Sequence, residues 1–147
     1  MKSLTKPFVA IATLFALTSL VSCRDAIIPV DQLPAEARSF LQEYFAEKAV
    51  SYVKKDRELA KTTYEVVFQD GTEIDLDGKG RWDKVDGKRA AVPAALIPDA
   101  IADYVRQGFP GQEVVKIDLE PFGYEVELAS GLELRFDKNG KLVNIDD

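Results

Sequence analysis

Apolar residues recur over residues 33–45 at the spacing of one helix face, while polar residues fill the other positions. The apolar positions are Leu33, Ala37, Phe40, Leu41, Tyr44 and Phe45. This pattern predicts an amphipathic helix that begins at Pro34. Proline is tolerated in a first helical turn because the N–H group it lacks would have no helical partner there.

The period then changes from that of a helix to that of a strand. Residues 50–55 are rich in β-forming side chains, and residues 57–63 are polar and are predicted to form a loop. Residues 64–68 alternate between apolar and more polar side chains, as a half-buried strand does. Two further short runs follow the turn sequences DG and DGKG. The pattern predicts one helix followed by four short strands.

The same pattern then occurs a second time. Residues 64–86 read YEVVFQDGTEIDLDGKGRWDKVD, and residues 124–146 read YEVELASGLELRFDKNGKLVNID. The pair Ile97-Pro98 likewise matches Leu33-Pro34. Each unit has about 55–60 residues, which is near the lower limit for an adequate hydrophobic core, so the two units are expected to pack together. We predict an α+β fold of two tandem α-β-β-β-β repeats, with an antiparallel sheet and the helices packed on one face.

Alternation assigns the two faces of this sheet. Val66, Phe68, Val126 and Leu128 are predicted to face the helices. The opposite face is a candidate protein-binding surface, although a solvated antiparallel face is an equally good interpretation. The residues predicted to form this face are Tyr52, Lys54, Glu65, Val67, Glu73, Asp75, Val114, Lys116, Glu125, Glu127, Glu133 and Arg135.

The N-terminus has the pattern of a secretory signal. Lys2 and Lys6 precede an uncharged, mostly apolar run over residues 8–21, which is too short for a typical membrane span. The sequence LVSC, which ends at Cys23, resembles the lipobox of bacterial lipoproteins, in which the cysteine carries a lipid after cleavage. The alternative is ordinary cleavage near Ser22, which would leave a free thiol in an oxidising compartment.

We therefore divide the chain into a signal peptide (1–22), a lipid-anchored tether (23–32), repeat 1 (33–87) and repeat 2 (88–147). Removing Lys2 and Lys6 from the 19 basic residues leaves 17 against 25 acidic ones, a net charge of −8. This charge argues against nucleic acid and against anionic lipid as partners.

No catalytic or metal-binding motif emerges from the sequence, and no cofactor is predicted. The run from Asp75 to Asp86 resembles a calcium loop in part, but Lys79 stands where an oxygen ligand is required. The chain contains no histidine, which excludes histidine-based triads. The single tryptophan, Trp82, is interpreted as a core residue more readily than as a ligand platform.

The Leu/Ile-Pro starts, the Tyr-Glu-Val strands, the glycine turns and the Phe-Asp turn after Phe136 together resemble the PepSY-like lipoproteins. That family is described as similar to the beta-lactamase inhibitor protein. Copy one departs from the pattern with Leu76 in place of the phenylalanine. The resemblance implies an extracytoplasmic module that is not an enzyme.

Our leading interpretation is a lipid-anchored module of the cell envelope that binds a protein or peptide through its sheet face, with an inhibitor-like activity as one form of this binding. A second is a small-ligand binder with a pocket between the repeats lined by Trp82, and a third is an acid-dependent hydrolase. In the lipoproteins that this lipobox resembles, an aspartate directly after the cysteine favours the inner membrane. Arg24 stands at that position here, so this resemblance implies the outer membrane, facing the periplasm.

Overall fold

The computed structural model describes residues 25–146, which form one open antiparallel sheet of nine strands and two α-helices. The strands are β1 (Ala26–Ile28), β2 (Val50–Glu58), β3 (Lys61–Phe68), β4 (Glu73–Asp77), β5 (Trp82–Asp86), β6 (Val114–Glu120), β7 (Gly123–Leu128), β8 (Glu133–Asp137) and β9 (Leu142–Asp146). The α-helices are α1 (Ala35–Tyr44) and α2 (Asp99–Gly108). Short 3-10 turns lie at Val30–Gln32 and Ala94–Leu96.

The strands follow one another across the sheet in chain order, from β1 to β9. Tight turns make this possible. Gly71 has φ +90°, and its N–H donates to the carbonyl of Phe68 over 3.0 Å. Gly80 has φ +91° and donates to the carbonyl of Asp77 over 2.9 Å. Glycine adopts these positive φ values without the steric cost that other residues incur. Between β5 and β6 lies the only long connection of the eight-strand run β2–β9, and it contains α2.

Both helices cover the same face of the sheet. Phe40 of α1 and Phe45, which directly follows α1, contact Trp82 and Phe68 respectively, with ring centroids 6.3 and 5.5 Å apart. Tyr104 of α2 meets Phe136 edge-on at 5.5 Å. The buried residues of both helices and the inward residues of the strands belong to one hydrophobic cluster. The helix stripe and the inward positions Val66, Phe68, Val126 and Leu128 were predicted correctly.

One row of residues forms the centre of this core. It runs straight across eight strands at paired positions. Its members are Val53, Val66, Ile74, Val85, Ile117, Val126, Leu134 and Ile145. The first seven side chains are at most 1% exposed, whereas Ile145 on the outermost strand is 43% exposed. We call this set the core row.

The structure corrects three predictions. The residues predicted to be a loop, 57–63, belong mostly to a hairpin, because β2 continues to Glu58 and β3 begins at Lys61. Strand pairing there prevails over the polarity of the side chains. Residues predicted to be only a tether include β1, whose Ile28 pairs with Val53. An edge strand covers the otherwise open side of β2.

Val114 is the third correction. It was predicted to lie on the outward face, but it is 5% exposed and belongs to the core. The pairing register shifts between Val114 and Lys116, so one extra residue, Val115, interrupts the alternation. A bulge of this kind turns the side chains that precede it to the other face. The same shift occurs in β2 between Val50 and Tyr52.

Candidate functional site

Two rows of mostly charged residues flank the core row on the face opposite the helices. The first row is Tyr52, Val67, Glu73, Asp86, Lys116, Glu127, Glu133 and Asp146. The second row is Lys54, Glu65, Asp75, Lys84, Asp118, Glu125, Arg135 and Asn144. Each residue is paired with the next one in its row. We call these sixteen residues the charged face.

Eleven of the twelve residues that the sequence assigned to this face lie in these two rows, and the exception is Val114. Sequence reasoning missed the contributions of β5 and β9 (Lys84, Asp86, Asn144 and Asp146) and that of Asp118 in β6. Alternation extended from Lys116 identifies Asp118. The other four follow from alternation counted backwards from the last aspartate of each of the two matched segments, 64–86 and 124–146.

Ion pairs cross the charged face. Lys84 Nζ lies 2.6 Å from Asp75 Oδ2, and Arg135 Nε donates to Glu125 Oε2 over 2.8 Å. Along β6 itself, Lys116 Nζ lies 3.1 Å from Asp118 Oδ2. Cross-strand neighbours of opposite charge stabilise a sheet by some tenths of a kcal/mol each, on the order of 0.2–1. The side chains therefore hold one another in place across the strands.

The pKa values follow from burial and from these pairs. Burial raises the pKa of Asp118, and the neighbouring Lys116 ammonium offsets this only in part. Although burial opposes it, the bond to Asp75 raises the pKa of Lys84. Burial alone would raise the pKa of Asp86, but the two hydrogen bonds from Lys88 outweigh this effect, so the pKa of Asp86 is lowered.

The carboxylates outnumber the cations of the charged face by nine to four. Within residues 25–146, no ion pair engages Glu65, Glu127 or Glu133. Glu127, Glu133 and Asp146 are direct neighbours across β7, β8 and β9, an arrangement of like charges that is unfavourable for folding. The surface thus offers negative charge that the protein does not neutralise itself.

A groove of about 440 Å³ lies on the charged face. Its walls carry two lysines, Lys54 and Lys84, and six carboxylates. These are Asp56, Glu65, Asp75, Asp83, Asp118 and Glu120. Desolvation raises the pKa of Asp83, with the nearby Asp77 carboxylate adding to the shift. The groove suits a cationic group better than an apolar ligand.

Trp82 lies away from this groove. Its ring stacks on Phe40 on the helix side of the sheet, with an angle of 17° between the ring planes. It packs against the core, as one interpretation of the sequence expected. The predicted ligand pocket lined by Trp82 therefore receives no support from its position.

In the acidic turn between β4 and β5, the carboxylate of Asp77 is already hydrogen-bonded to groups of the same turn. Asp77 Oδ1 accepts the backbone N–H groups of Lys79 and Arg81 over 2.9 and 3.0 Å, and its Oδ2 accepts Arg81 Nε over 2.8 Å. Although burial opposes it, the bonds from Arg81 hold the pKa of Asp77 below its ordinary value. Cys23 lies outside the described residues. Within the described part, no helix is long and apolar enough to cross a membrane.

Comparison with known proteins places these features in a family. Three solved structures each match 84% of this chain with a TM-score of 0.80. One, from Bacteroides thetaiotaomicron, is described as a "putative calcium-regulated periplasmic protein"; it is 37% identical and 97% covered. The other two are described as "putative" periplasmic proteins from Bacteroides vulgatus, 36% and 35% identical and 97% and 100% covered.

No curated protein matches the chain. A family model described as "Putative beta-lactamase-inhibitor-like, PepSY-like" matches residues 62–144, which include nearly all of β3 through β8 and the start of β9. The resemblance inferred from the turns and strands is thereby confirmed, and the chain belongs to the PepSY-like family.

Proposed function

We propose that this protein is a lipid-anchored module of the bacterial cell envelope that binds a protein or peptide through its charged face. The observation that carries the proposal is the excess of carboxylates on that face, nine against four cations, three of them without an ion pair in residues 25–146. A partner with a basic surface would neutralise this excess. Complementary charge raises the rate of encounter and rejects partners of the wrong sign.

The same proposal treats residues 33–87 and 88–147 as two copies of one helix-plus-four-strand unit. The matched strand registers and the shared bulges at Val50/Tyr52 and Val114/Lys116 support this view. A basic partner could then contact equivalent carboxylates in both copies. The description of the family as beta-lactamase-inhibitor-like makes an inhibitor a reasonable form for this binding activity.

The test is a charge-reversing double variant. Glu65→Lys with Glu127→Lys removes two half-buried carboxylates that no ion pair within residues 25–146 engages, so folding should change little, by about 0.5 kcal/mol for each surface substitution. Glu125 is unsuitable because its loss would leave Arg135 without its partner. The matched control is Glu43→Lys with Glu47→Lys, which makes the same change in net charge on α1 and in the turn that follows it.

We expect the charged-face variant to lose capture of its partner from envelope extract while melting normally. The control variant should keep both properties. Equal capture by wild type and by the charged-face variant would show that the face is only a solvated surface.

The lipid anchor needs its own experiment, since Cys23 carries that part of the proposal. Cys23→Ser should leave the protein unprocessed or soluble, whereas Ser22→Ala, which keeps the thiol, should fractionate with membranes. If Cys23→Ser is processed and stays with the membrane, the lipoprotein interpretation is wrong. Separation of inner and outer membranes then tests the expectation that Arg24 favours the outer one.

We do not extend calcium regulation, which is named for the Bacteroides thetaiotaomicron protein, to this chain. In the described residues 25–146, no three carboxylates are grouped so as to hold a metal ion. The carboxylate of Asp77 is already occupied by two backbone N–H groups and the Arg81 guanidinium. Our proposal therefore needs no metal.

A further inference from the structure

The sheet has two open outer edges within residues 25–146, that of the three-residue strand β1 and that of the five-residue strand β9, and the longer one belongs to β9. In the run from β2 to β8, each strand has a neighbour on both sides, and β1 covers β2. Within residues 25–146, β9 pairs only with β8. Its Val143 and Ile145 are 65% and 43% exposed, so apolar side chains stand beside the open backbone. Open, apolar edges of this kind are sites of strand addition.

The chain itself shows what covers such an edge, because β5 is the counterpart of β9. Val85 pairs with Ile74 in β4, and Ile145 pairs with Leu134 in β8 at the corresponding place. On the other side of β5 lies β6, with Ile117 opposite Val85 and Lys116 opposite Asp86. A strand with an apolar residue and an adjacent cation thus completes this edge in the first half of the molecule.

The backbone of Ile145 points toward the open side. Gly87 N–H donates to the carbonyl of Val115 over 2.7 Å, which makes these two residues a hydrogen-bonded pair. Such pairs alternate along an antiparallel ladder, so Val85 and Ile117, two residues further on, form another. Because Ile145 has the register of Val85, its N–H and C=O point away from β8. Within residues 25–146, no strand lies on that side to bond with these two groups.

Charge selects the partner. The carboxylates of Glu127, Glu133 and Asp146 form a row across β7, β8 and β9 that ends at this edge, and within residues 25–146 no cation is committed to Asp146. Arg135 is the nearest, 3.7 Å from Asp146, but it is bonded to Glu125 at 2.8 Å. In the first half, Lys88 Nζ lies 2.8 Å from both Glu73 and Asp86. A lysine or arginine opposite Asp146 would provide the missing positive charge.

We propose that the edge of β9 binds an extended segment of another protein, which adds a tenth antiparallel strand with an apolar residue opposite Ile145 and a lysine or arginine opposite Asp146. A second copy of this chain fits less well. Its own β9 would bring a further set of carboxylates to the edge, and its β2, the counterpart of β6, is already covered by β1.

The experiment uses a synthetic peptide with the sequence of residues 113–120, EVVKIDLE, because this segment covers β5 within the chain. We expect it to shift the NMR signals of β9 and to protect the Ile145 amide from hydrogen exchange. Ile145→Pro removes only the outward N–H and should weaken binding at least tenfold, since proline is tolerated at a strand edge where its missing N–H faced solvent. Ile145→Val, which keeps that N–H, is the matched control and should bind like wild type.

A peptide with glutamate at the position of Lys116 should also bind at least tenfold more weakly, and Asp146→Lys should reverse that preference. The Asp146→Lys variant keeps the test valid if Ile145→Pro does not fold. Absence of binding at millimolar peptide, or equal binding to wild type and Ile145→Pro, would overturn the proposal. Self-association of wild type that Ile145→Pro abolishes would overturn it in favour of a second copy. The single variant Glu65→Lys changes the charged face on β3, remote from β9, and leaves this edge intact, so the two proposals can fail separately.

Discussion

The two halves of the sheet place nearly the same residues in the same register and bury them differently. In the first half, α1 with β2–β5, the core row ends in Val85, which is fully buried. In the second half, α2 with β6–β9, it ends in Ile145, which is 43% exposed. The side chains are alike in chemistry. The difference arises because β6 lies beside β5, whereas β9 has no such neighbour in the described residues. Burial at the end of a sheet depends on what adjoins it.

The halves also differ in how they balance charge. Val67, Glu73 and Asp86 in the first half correspond to Glu127, Glu133 and Asp146 in the second. Lys88 neutralises the two carboxylates of the first half. The second half has one carboxylate more and no counterpart of Lys88 in the described residues. Within residues 25–146, the charge of the first half is therefore more nearly balanced than that of the second.

The largest expected effect tests whether the halves share one core. Phe68→Ala and Leu128→Ala change corresponding buried positions and should each lower the free energy of unfolding by about 2–5 kcal/mol, through lost burial and the cavity left behind. Because both residues belong to a single hydrophobic cluster, each variant should still unfold in one transition. Thermal melts followed by circular dichroism measure both quantities. Two separate transitions would show that the halves are independent units.

The next effect measures the difference at the end of the core row. Val85→Ala should cost about 2 kcal/mol, since the buried side chain loses its apolar contacts. Ile145→Ala should cost less, although it removes one more carbon atom, because the side chain already contacts solvent. Urea unfolding of the two variants gives the comparison. An equal or larger cost at Ile145 would mean that another element buries β9 in the intact protein.

Much of this fold could be predicted from the sequence, because alternation and glycine turns are local signals. The stripe from Leu33 to Phe45 and the inward positions of β3 and β7 follow from period alone. The exposure of Ile145 could not be predicted in this way, because its sequence context matches that of Val85. Strand β1 was missed for a related reason: its three residues form a strand only because β2 presents an open edge to them.

The charged face was also predictable up to the point where pairing departs from simple alternation. Eleven of its sixteen residues were assigned, since outward positions in β3, β4, β7 and β8 recur every second residue. Val114 was assigned to the wrong face because nothing in its sequence marks the bulge that follows it. Ion pairs such as that between Lys84 and Asp75 depend on register between strands, which a single sequence does not display.

A smaller effect concerns an ion pair that only the first half contains. Asp70 accepts bonds from Lys48 and from the Thr72 N–H, and the Lys48 bond is the main cause that lowers its pKa from 3.8 to about 2. The corresponding pair in the second half is neutral, with Ser130 N–H donating to Gln112 Oε1 over 3.0 Å. The lowered pKa stabilises the fold above pH 3.8, and this contribution is lost as the pH falls through 2.

Asp70→Asn should therefore reduce stability at pH 6 by at most about 1 kcal/mol, because both partners are partly exposed to solvent. The difference from wild type should vanish as the pH falls below 2. Urea unfolding across this pH range measures it. Transplanting the pair with Gln112→Lys and Ser130→Asp should give the second half the same pH dependence. A difference between wild type and Asp70→Asn that is independent of pH would contradict this assignment.

The smallest expected effect is that of calcium on either acidic turn. Asp137 Oδ1 accepts the N–H groups of Asn139 and Lys141 over 2.8 and 2.9 Å, just as Asp77 Oδ1 accepts those of Lys79 and Arg81. In the first half, Arg81 also occupies Oδ2. A calcium ion would have to displace these bonds in both turns, and Lys79 would place a positive charge beside it in the first. Millimolar calcium should therefore raise the melting temperature no more than millimolar magnesium does.

A site with a micromolar dissociation constant would add about 4 kcal/mol under these conditions, and that would shift the melt by several degrees. If such a shift occurs with calcium alone, Asp77→Asn and Asp137→Asn will show which half binds the ion. A site in the second half only would be explained by Lys141, which stands at the position of Arg81 but contributes only its backbone N–H to that turn.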